Sequence, residues 1–391
     1  MDTLPEKLET AIRNAGWIVD TKIGGGGGGN VFLCYKKALI DAVEKYRTVT
    51  GPTIRVTDQS DRSLRLLVRE AYDSIVWKQD GVSVVKVPHS ISDGDTLGRL
   101  RDEIKAMDSC DHPGLIKLIN HDPKDPPQWF VMEYHANGIL ESHASKYKGK
   151  PVETLVAIKP VVDGVATLHR AGYVHRDIKP KNIFVTLKGD LVLGDFGIVF
   201  TRDDDRTRIT KPGESICSRD WIPDWVRFRN PNEFTAKVDV FMLAKVIYFM
   251  ITGENVLSTQ LVDEDKDLAK LFSGAKGIAL VNDLLKNCIV GREIDCKVEN
   301  AEKLSKRIDG LIEQITRFPD KAAEILRWKN QIVTVIKDGT ELGDGCTVED
   351  CTPFWVQFNA IGSGRDYSEP LEGVRLAQDV TRNRRLKIIL P

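Results

Sequence analysis

One short stretch concentrates side chains that could move a phosphoryl group: His175-Arg176-Asp177-Ile178-Lys179-Pro180-Lys181-Asn182, followed downstream by Asp195-Phe196-Gly197. A carboxylate at Asp177 can accept or orient the proton of an attacking hydroxyl. Asn182, in the same loop, and Asp195 offer the oxygen ligands that hard Mg²⁺ prefers. Lys179 can neutralise charge on the transferred group, in a reaction where positioning and charge neutralisation dominate. Pro180 restricts the loop and biases Lys179 toward extended backbone. Read alone, the first motif could be a polar loop with a solvated aspartate; the second motif and a glycine-rich segment upstream weigh against that.

That upstream segment is Ile23-Gly24-x-Gly26-x-x-Gly29-x-Val31. Glycine lacks a Cβ, so the backbone can bend tightly and bring N–H groups against phosphate oxygens. Six consecutive glycines, Gly24 to Gly29, would also suit a plain flexible linker. A dinucleotide-binding turn requires a helix directly after the glycines. Here Asn30-Val31-Phe32-Leu33-Cys34 follows, which reads as a strand and favours a flap over phosphates.

Taken in this order, the motifs resemble the eukaryotic-type serine/threonine protein kinase family over residues 16–315. The resemblance implies an α+β, bilobal protein-kinase-like fold with a small β-rich N-lobe and a mostly helical C-lobe, and ATP and Mg²⁺ as cofactors. It assigns Asp177 as catalytic base, Lys179 as a charge neutraliser, and Asn182 and Asp195 as metal ligands. Val84-Val85-Lys86 matches the strand whose lysine grips the α- and β-phosphates, and Glu103 the helix glutamate that pairs with it. Either could otherwise be an ordinary surface charge. Ile23, Gly24, Gly26, Gly29, Val31 and Val84 would enclose the nucleotide. Phe130-Val131-Met132-Glu133-Tyr134-His135 resembles the hinge, with Met132 behind the adenine and the backbone of Glu133 and His135 bonding it. Lys179 is the family's mark of a Ser or Thr acceptor, hence a protein substrate with a Ser/Thr hydroxyl. Arg176 resembles the arginine of kinases switched by loop phosphorylation. Residues 198–221 contain serines and threonines and no tyrosine, so autophosphorylation is expected at Thr207, Thr210 or Ser215. Asp239 matches the aspartate that supports the catalytic loop from a buried helix.

The chain also departs from the family. Residues 36–74, two helical patterns, are inserted between Gly29 and Lys86. Long insertions cost little loop entropy, and a partner or autoregulatory surface is one reading of them, a passive excursion the other. Val84 replaces the family's alanine, and Gly28 its aromatic at the flap tip. Trp221-Ile222-Pro223-Asp224 stands where the family has Ala-Pro-Glu, with Arg292 the candidate partner of Asp224.

The elements that must carry these groups follow from periodicity. Residues 1–15 read as an amphipathic helix, 16–34 as strand, glycine turn, strand, and 75–87 as a hairpin turning at Gly81. Helices are expected over 99–110, 152–172 and 237–253, the last apolar on all sides and so buried. Residues 128–134 should be a strand. Beyond about 330, IVTVIKDG, PFWVQFNA, GVRLAQDV and RRLKIIL read as strands of a small β-rich module. The organisation expected is therefore an N-terminal helix 1–15, N-lobe and hinge 16–135, C-lobe 136–318 and a C-terminal extension 330–391, itself a second place for a partner.

Composition narrows the classes further. With 41% apolar and 29% charged residues, a packed core is expected. Lys+Arg 56 against Asp+Glu 57 gives no general pull toward nucleic acid or anionic membrane. Seven scattered cysteines without a C-x-x-C suit reduced thiols and a cytoplasmic location. The apolar run from Phe241 to Ile251 contains Lys245 and is too short to span a bilayer. Two other readings stay open: a nucleotide-binding scaffold without catalysis, and a kinase of small-molecule hydroxyls. The presence of Lys86, Asp177 and Asp195 argues against the first. The glycine triplet with Lys179 argues against the second.

Overall fold

The computed structural model describes residues 4–26, 29–38, 82–196, 200–201, 220–226, 229, 233–255, 265–317, 324–351, 355–370, 374–379 and 385–390. Most of the 36–74 insertion, Gly28, the turn at Gly81, and Thr207, Thr210 and Ser215 lie outside the described residues. The chain divides into two compact units, residues 1–137 with 194–200, and residues 138–193 with 201–391.

The first unit is built on a five-stranded antiparallel sheet of order β1-β2-β3-β5-β4, formed by β1 (Trp17–Gly26), β2 (Gly29–Lys36), β3 (Val82–Val87), β4 (Leu118–His121) and β5 (Phe130–Glu133). Side chains alternate across a strand. On β3 this sends Val85 and Val87 into a core with Phe32, Cys34, Trp129 and Val131, which Leu8 and Ile12 of α1 (Glu6–Asn14) cover. The same alternation turns Val84 and Lys86 to the opposite face. Burying a side chain such as Leu8 or Ile12 contributes about 1.5–3 kcal/mol, so α1 is held mainly by this face. Gly29 closes the β1–β2 turn at φ +138°, where an added Cβ would lie 2.2 Å from the Val87 carbonyl oxygen. Only glycine fits there.

The helix expected over 99–110 begins earlier, as α2 (Gly94–Ser109). Asp93 caps it, accepting from the Asp95 N–H and from the Thr96 hydroxyl. The extra first turn comes from this capping rather than from apolar periodicity.

In the second unit α3 (Pro151–Arg170) starts with proline in its first turn and continues through Pro160. The carbonyl that Pro160 cannot bond belongs to Val156, a 53% exposed residue where water can reach it. Short strands β6 (Tyr173–Val174), β7 (Ile183–Val185) and β8 (Leu191–Leu193) frame the loop from His175 to Asn182; β7 and β8 pair antiparallel. After β9 (Phe200–Thr201) comes α4 (Ala236–Thr252), capped by the Thr235 hydroxyl and ended by Gly253 at φ +82°. It is buried almost all round, as its sequence requires. Lys245 on it is 1% exposed, lies over the Trp221 and Phe241 rings, and donates to the Asp220 carbonyl. Then follow α5 (Leu268–Leu271), α6 (Ile278–Lys286) and α7 (Ala301–Arg317).

The C-terminal residues form more strands than the four expected: β10 (Ile332–Lys337), β11 (Thr340–Glu341), β12 (Cys346–Cys351), β13 (Trp355–Ala360), β14 (Asp366–Pro370), β15 (Arg375–Asp379) and β16 (Arg385–Ile389). Their order is β14-β13-β12-β10-β16-β15, with β11 on β10 and β10 parallel to β16. The polar strands β12 and β14 carry no strong β pattern and are recruited by pairing with β13. This sheet is tied to the helices by Lys329 on Asp283 (3.1 Å) and by the Gln314 amide on the Cys351 sulfur (3.7 Å). Among the described residues no helix is long and apolar enough to cross a membrane.

Candidate active site

In the first unit three charged groups named from the sequence meet. The Lys86 ammonium donates to both Glu103 oxygens at 2.7 and 2.9 Å and to Asp195 Oδ1 at 3.5 Å. Strand β3 supplies the lysine and α2 the glutamate. Lys86 and Glu103 are 5% and 3% exposed, whereas the Asp195 side chain is 48% exposed. Burial alone would discharge the lysine. The two carboxylates more than offset it and hold the ammonium charged beyond its usual range. Glu103 is fixed further by the backbone N–H of Phe196. Asp195 adopts φ +59°, a left-handed conformation uncommon outside glycine.

The other nucleotide-side residues occupy neighbouring strands. Val31 and Phe130 flank Lys86 in register, and Val84 pairs with Leu33 and Met132. Gly24 faces Val31, and Gly26 faces Gly29, across the β1–β2 ladder. Ile23 is 46% exposed; Val84 and Met132 are buried. The Glu133 N–H donates to the Lys117 carbonyl at 3.1 Å, and the Glu133 carboxylate accepts the Lys117 N–H at 3.4 Å and lies 3.7 Å from His135 Nε2. Burial pushes the His135 imidazole toward its neutral form.

In the second unit the loop after β6 assembles around Asp177. Its Oδ2 accepts from the Lys179 ammonium at 2.7 Å and from Asn182 Nδ2 at 2.9 Å. Asn182 Nδ2 also donates to the Asp177 carbonyl at 2.8 Å, which leaves Oδ1 as the acceptor end of the amide. Asp177 Oδ1 is buried and has no hydrogen-bond partner among the described residues. A buried carboxylate oxygen without a donor costs free energy, and Oδ1 has the chemistry to accept from a hydroxyl. These residues fit a hydroxyl acceptor beside an oxygen-ligated cation. Asp177 and Asn182 supply the acceptor oxygens of this unit.

The loop is held from α4. Asp239, fully buried, accepts the His175 N–H through Oδ2 and the Arg176 N–H through Oδ1, each at 2.8 Å, and meets His169 Nε2 at 2.8 Å. Burial would raise its pKa, but the bonds from His169 and the Arg176 backbone, with His175 nearby, keep it below the ordinary carboxylate range. These bonds sustain Arg176 at φ +71°, its guanidinium 5.4 Å from the Phe234 ring centroid. His169 is a residue that motif reading missed. Nothing local marks it, because its partners Asp239 and Ala301 are distant in sequence.

A second correction concerns Asp224 and Arg292. Arg292 does not reach Asp224; it bonds Asp295 at 2.8 and 2.9 Å on an exposed turn. Near the end of that segment Arg229 pairs with Glu293 at 2.6 Å, and Glu293 also accepts from the Thr235 hydroxyl at 2.7 Å.

The pattern of the protein kinase domain family matches residues 71–322. This chain belongs to that family. The match begins inside the inserted segment, yet β1 and β2 pair with β3 and so join the kinase sheet. The kinase domain is 27% identical over 254 residues to the serine/threonine-protein kinase PknL of Mycobacterium tuberculosis, covering 62% of each chain. It is 26% identical over 189 residues to serine/threonine-protein kinase PrkC of Bacillus subtilis, 47% of this chain and 28% of that one. It is 32% identical over 152 residues to serine/threonine-protein kinase shk1/pak1 of Schizosaccharomyces pombe, 39% and 22%. The matched stretch thus spans about three fifths of PknL, and less of the other two.

Proposed function

We propose that this kinase domain transfers the γ-phosphoryl group of ATP to Ser or Thr hydroxyls of a protein substrate. The observation that carries the reading is the Asp177 carboxylate, with one oxygen held by Lys179 and Asn182 and the other buried without a partner. In this reading Asp177 orients the hydroxyl and takes its proton. Lys179, at hydrogen-bond distance from Asp177, neutralises the charge on the phosphoryl group in flight. Lys86, locked by Glu103, grips the α- and β-phosphates, and Asn182 and Asp195 are the residues that would hold Mg²⁺. When bound, the cation supplies charge neutralisation on the phosphate oxygens. Ile23, Gly24, Gly26, Gly29, Val31 and Val84 enclose the nucleotide, with Met132 behind the adenine and the backbone of Glu133 and His135 bonding it.

The hydroxyl specificity is supported by Lys179 and by the names of relatives such as PknL and PrkC. Autophosphorylation at Thr207, Thr210 or Ser215, read out by Arg176, belongs to the same proposal. So do the organisation into 1–15, 16–135, 136–318 and 330–391, and a partner on the insertion or the C-terminal extension. A cytoplasmic location suits the buried thiols of the described cysteines, none of which is in a disulfide.

The test is transfer of labelled γ-phosphate from ATP to a panel of Ser/Thr peptides, Tyr peptides and small hydroxyl compounds, followed by phosphosite mapping. Label on Ser/Thr peptides, lost by at least about a thousandfold in Asp177→Asn, is the expected result, about 4 kcal/mol of transition-state stabilisation. Equal labelling by the variant overturns the assignment of Asp177. Label confined to small hydroxyl compounds overturns the protein substrate.

A further inference from the structure

Lys245 is a buried cation that the chemistry described above does not use. It lies on α4 at 1% exposure, and its ammonium donates to the backbone carbonyl of Asp220. Asn255, just past the end of α4, donates its side-chain amide to the same oxygen at 3.0 Å. A carbonyl oxygen has two lone pairs, so these two donors can occupy both and fix the backbone at Asp220. The ammonium also lies 5.5 Å from the Trp221 ring centroid and 5.7 Å from that of Phe241. A cation withdrawn from water is held more strongly over an aromatic face than an exposed one.

Lys245 stands in the middle of a stripe. Phe241, Lys245 and Phe249 are spaced four residues apart and so share one face of α4. Trp225 meets Phe241 edge-on, with centroids 6.5 Å apart at 84°, and Trp221 meets Phe249 edge-on at 5.9 Å and 74°. Residues 221–225 therefore run along this face in the sense opposite to the helix, with Pro223 and Val226 buried beside them. On a helix buried almost all round, an apolar side chain at 245 could fill the same volume without the cost of burying a charge. The lysine's gain lies in what an apolar chain cannot do, which is to grip a backbone carbonyl.

We propose that Lys245 is a positioning residue for the acceptor side of the reaction: from inside α4 it clamps the backbone at Asp220 and the ring of Trp221. The clamped residues continue directly from the stretch of sequence that holds Thr207, Thr210 and Ser215, so the clamp sets the point from which that stretch is held. The link to catalysis rests on the kinase reading above; the clamp itself does not. The clamp shares no residue with the groups assigned to the nucleotide. Its loss should therefore spare ATP binding and weaken the holding of a hydroxyl-bearing chain.

The experiment compares Lys245→Met and Asn255→Ala with the wild-type chain by thermal unfolding, by hydrogen exchange of residues 220–226 and by steady-state transfer from ATP to a Ser/Thr peptide. Methionine keeps an unbranched stem and removes the ammonium. An apolar replacement of a buried charge is often neutral or stabilising, so Tm should stay within about 3 °C of wild type or rise. The amides of residues 220–226 should nevertheless exchange at least about tenfold faster, the effect of losing a charged hydrogen bond and a buried cation–π contact. The KM for peptide should rise about tenfold, with the KM for ATP within about twofold. Asn255→Ala removes one neutral hydrogen bond at an exposed position, so both effects should be about threefold. Unchanged exchange in Lys245→Met overturns the clamp and leaves the aromatic stripe to hold the segment. Faster exchange with an unchanged peptide KM, or with an equal rise in the KM for ATP, overturns the positioning role. If Lys245→Met does not fold, Asn255→Ala decides by the same two readings, and no change in either overturns the proposal. If the wild-type chain transfers no phosphate, the kinase reading fails, while exchange still decides the clamp.

Discussion

Replacing Glu103 by glutamine tests the buried half of the site with the least change of volume. Two ammonium–carboxylate contacts, at 2.7 and 2.9 Å, join side chains that are each at least nine-tenths buried, so water cannot substitute for a lost partner. Breaking a buried pair by removing one partner costs about 3–5 kcal/mol. Glutamine keeps one acceptor oxygen, and Asp195 stays 3.5 Å from Lys86, so the cost should fall near 2 kcal/mol. If that same amount is lost from the transition state because Lys86 swings toward Asp195, kcat/KM falls about 30-fold.

Two assays read the same variant. Thermal or urea unfolding gives the stability loss, and γ-phosphate transfer gives kcat/KM. The pH dependence adds a sign that geometry dictates. The carboxylates raise the Lys86 pKa above the ordinary lysine value of 10.5. Its stabilising contribution is therefore present below that pH and lost as pH rises through the raised value. With Glu103 neutralised that window narrows, so the alkaline loss of stability should be smaller and complete at lower pH. A variant within about 0.5 kcal/mol of wild type, with kcat/KM within twofold and an unmoved alkaline limb, would show that Glu103 does not hold Lys86.

Three further substitutions follow from single contacts. Gly29→Ala places a Cβ 2.2 Å from the Val87 carbonyl at φ +138°, so stability should fall by about 2 kcal/mol or more and nucleotide affinity with it; thermal shift with and without ATP checks both. Gly277→Ala drives a Cβ to 2.4 Å from Ile315 Cγ1 at φ +75°, an overpacking cost of about 1–3 kcal/mol, which Ile315→Val in the same chain should partly restore in denaturant melts. Glu293→Gln weakens the bonds to Arg229 and Thr235 for about 1 kcal/mol at neutral pH. Burial opposes its ionisation, but Thr235 and Arg229 hold its pKa below 4.5, so the stabilisation exists above that pH and disappears as pH falls through the depressed value. The difference between wild type and this variant should therefore shrink in acid urea melts.

How much of this was legible in the sequence depends on distance along the chain. Local grammar carried the elements: the second half of the segment read as a hairpin is β3, the apolar run 128–134 contains β5, and continuous apolarity gave α4. It misjudged the start of α2, where a polar cap at Asp93 adds a turn that periodicity does not register. It also missed β12 and β14, whose sequences CTVEDC and DYSEP become strands only because β13 lies between them. Motif order gave Lys86, Glu103, Asp177, Lys179, Asn182 and Asp195 as chemical groups. It did not indicate that Lys179 and Asn182 share one oxygen of Asp177 and leave the other buried without a partner.

The residues that escaped a linear reading have something physical in common. His169, Arg229 and Glu293 each act through partners far away in sequence: His169 through Asp239 and Ala301, Arg229 and Glu293 through one another. A motif is conspicuous when one short loop must present several groups at once, as around Asp177. A support residue need only meet its partner once the helices have packed, so its position along the chain carries no spacing rule. The Arg229–Glu293 pair makes the point sharply. Arg229 and Glu293 meet only after the segments have packed, so neither spacing nor order along the chain points from one to the other. Hydrogen bonds from a single imidazole are not symmetric. Ala301 can only donate and Asp239, ionised, can only accept, so the ring has one orientation and one tautomer that satisfy both. Asymmetry of this kind fixes how the His169 ring sits between Asp239 and Ala301.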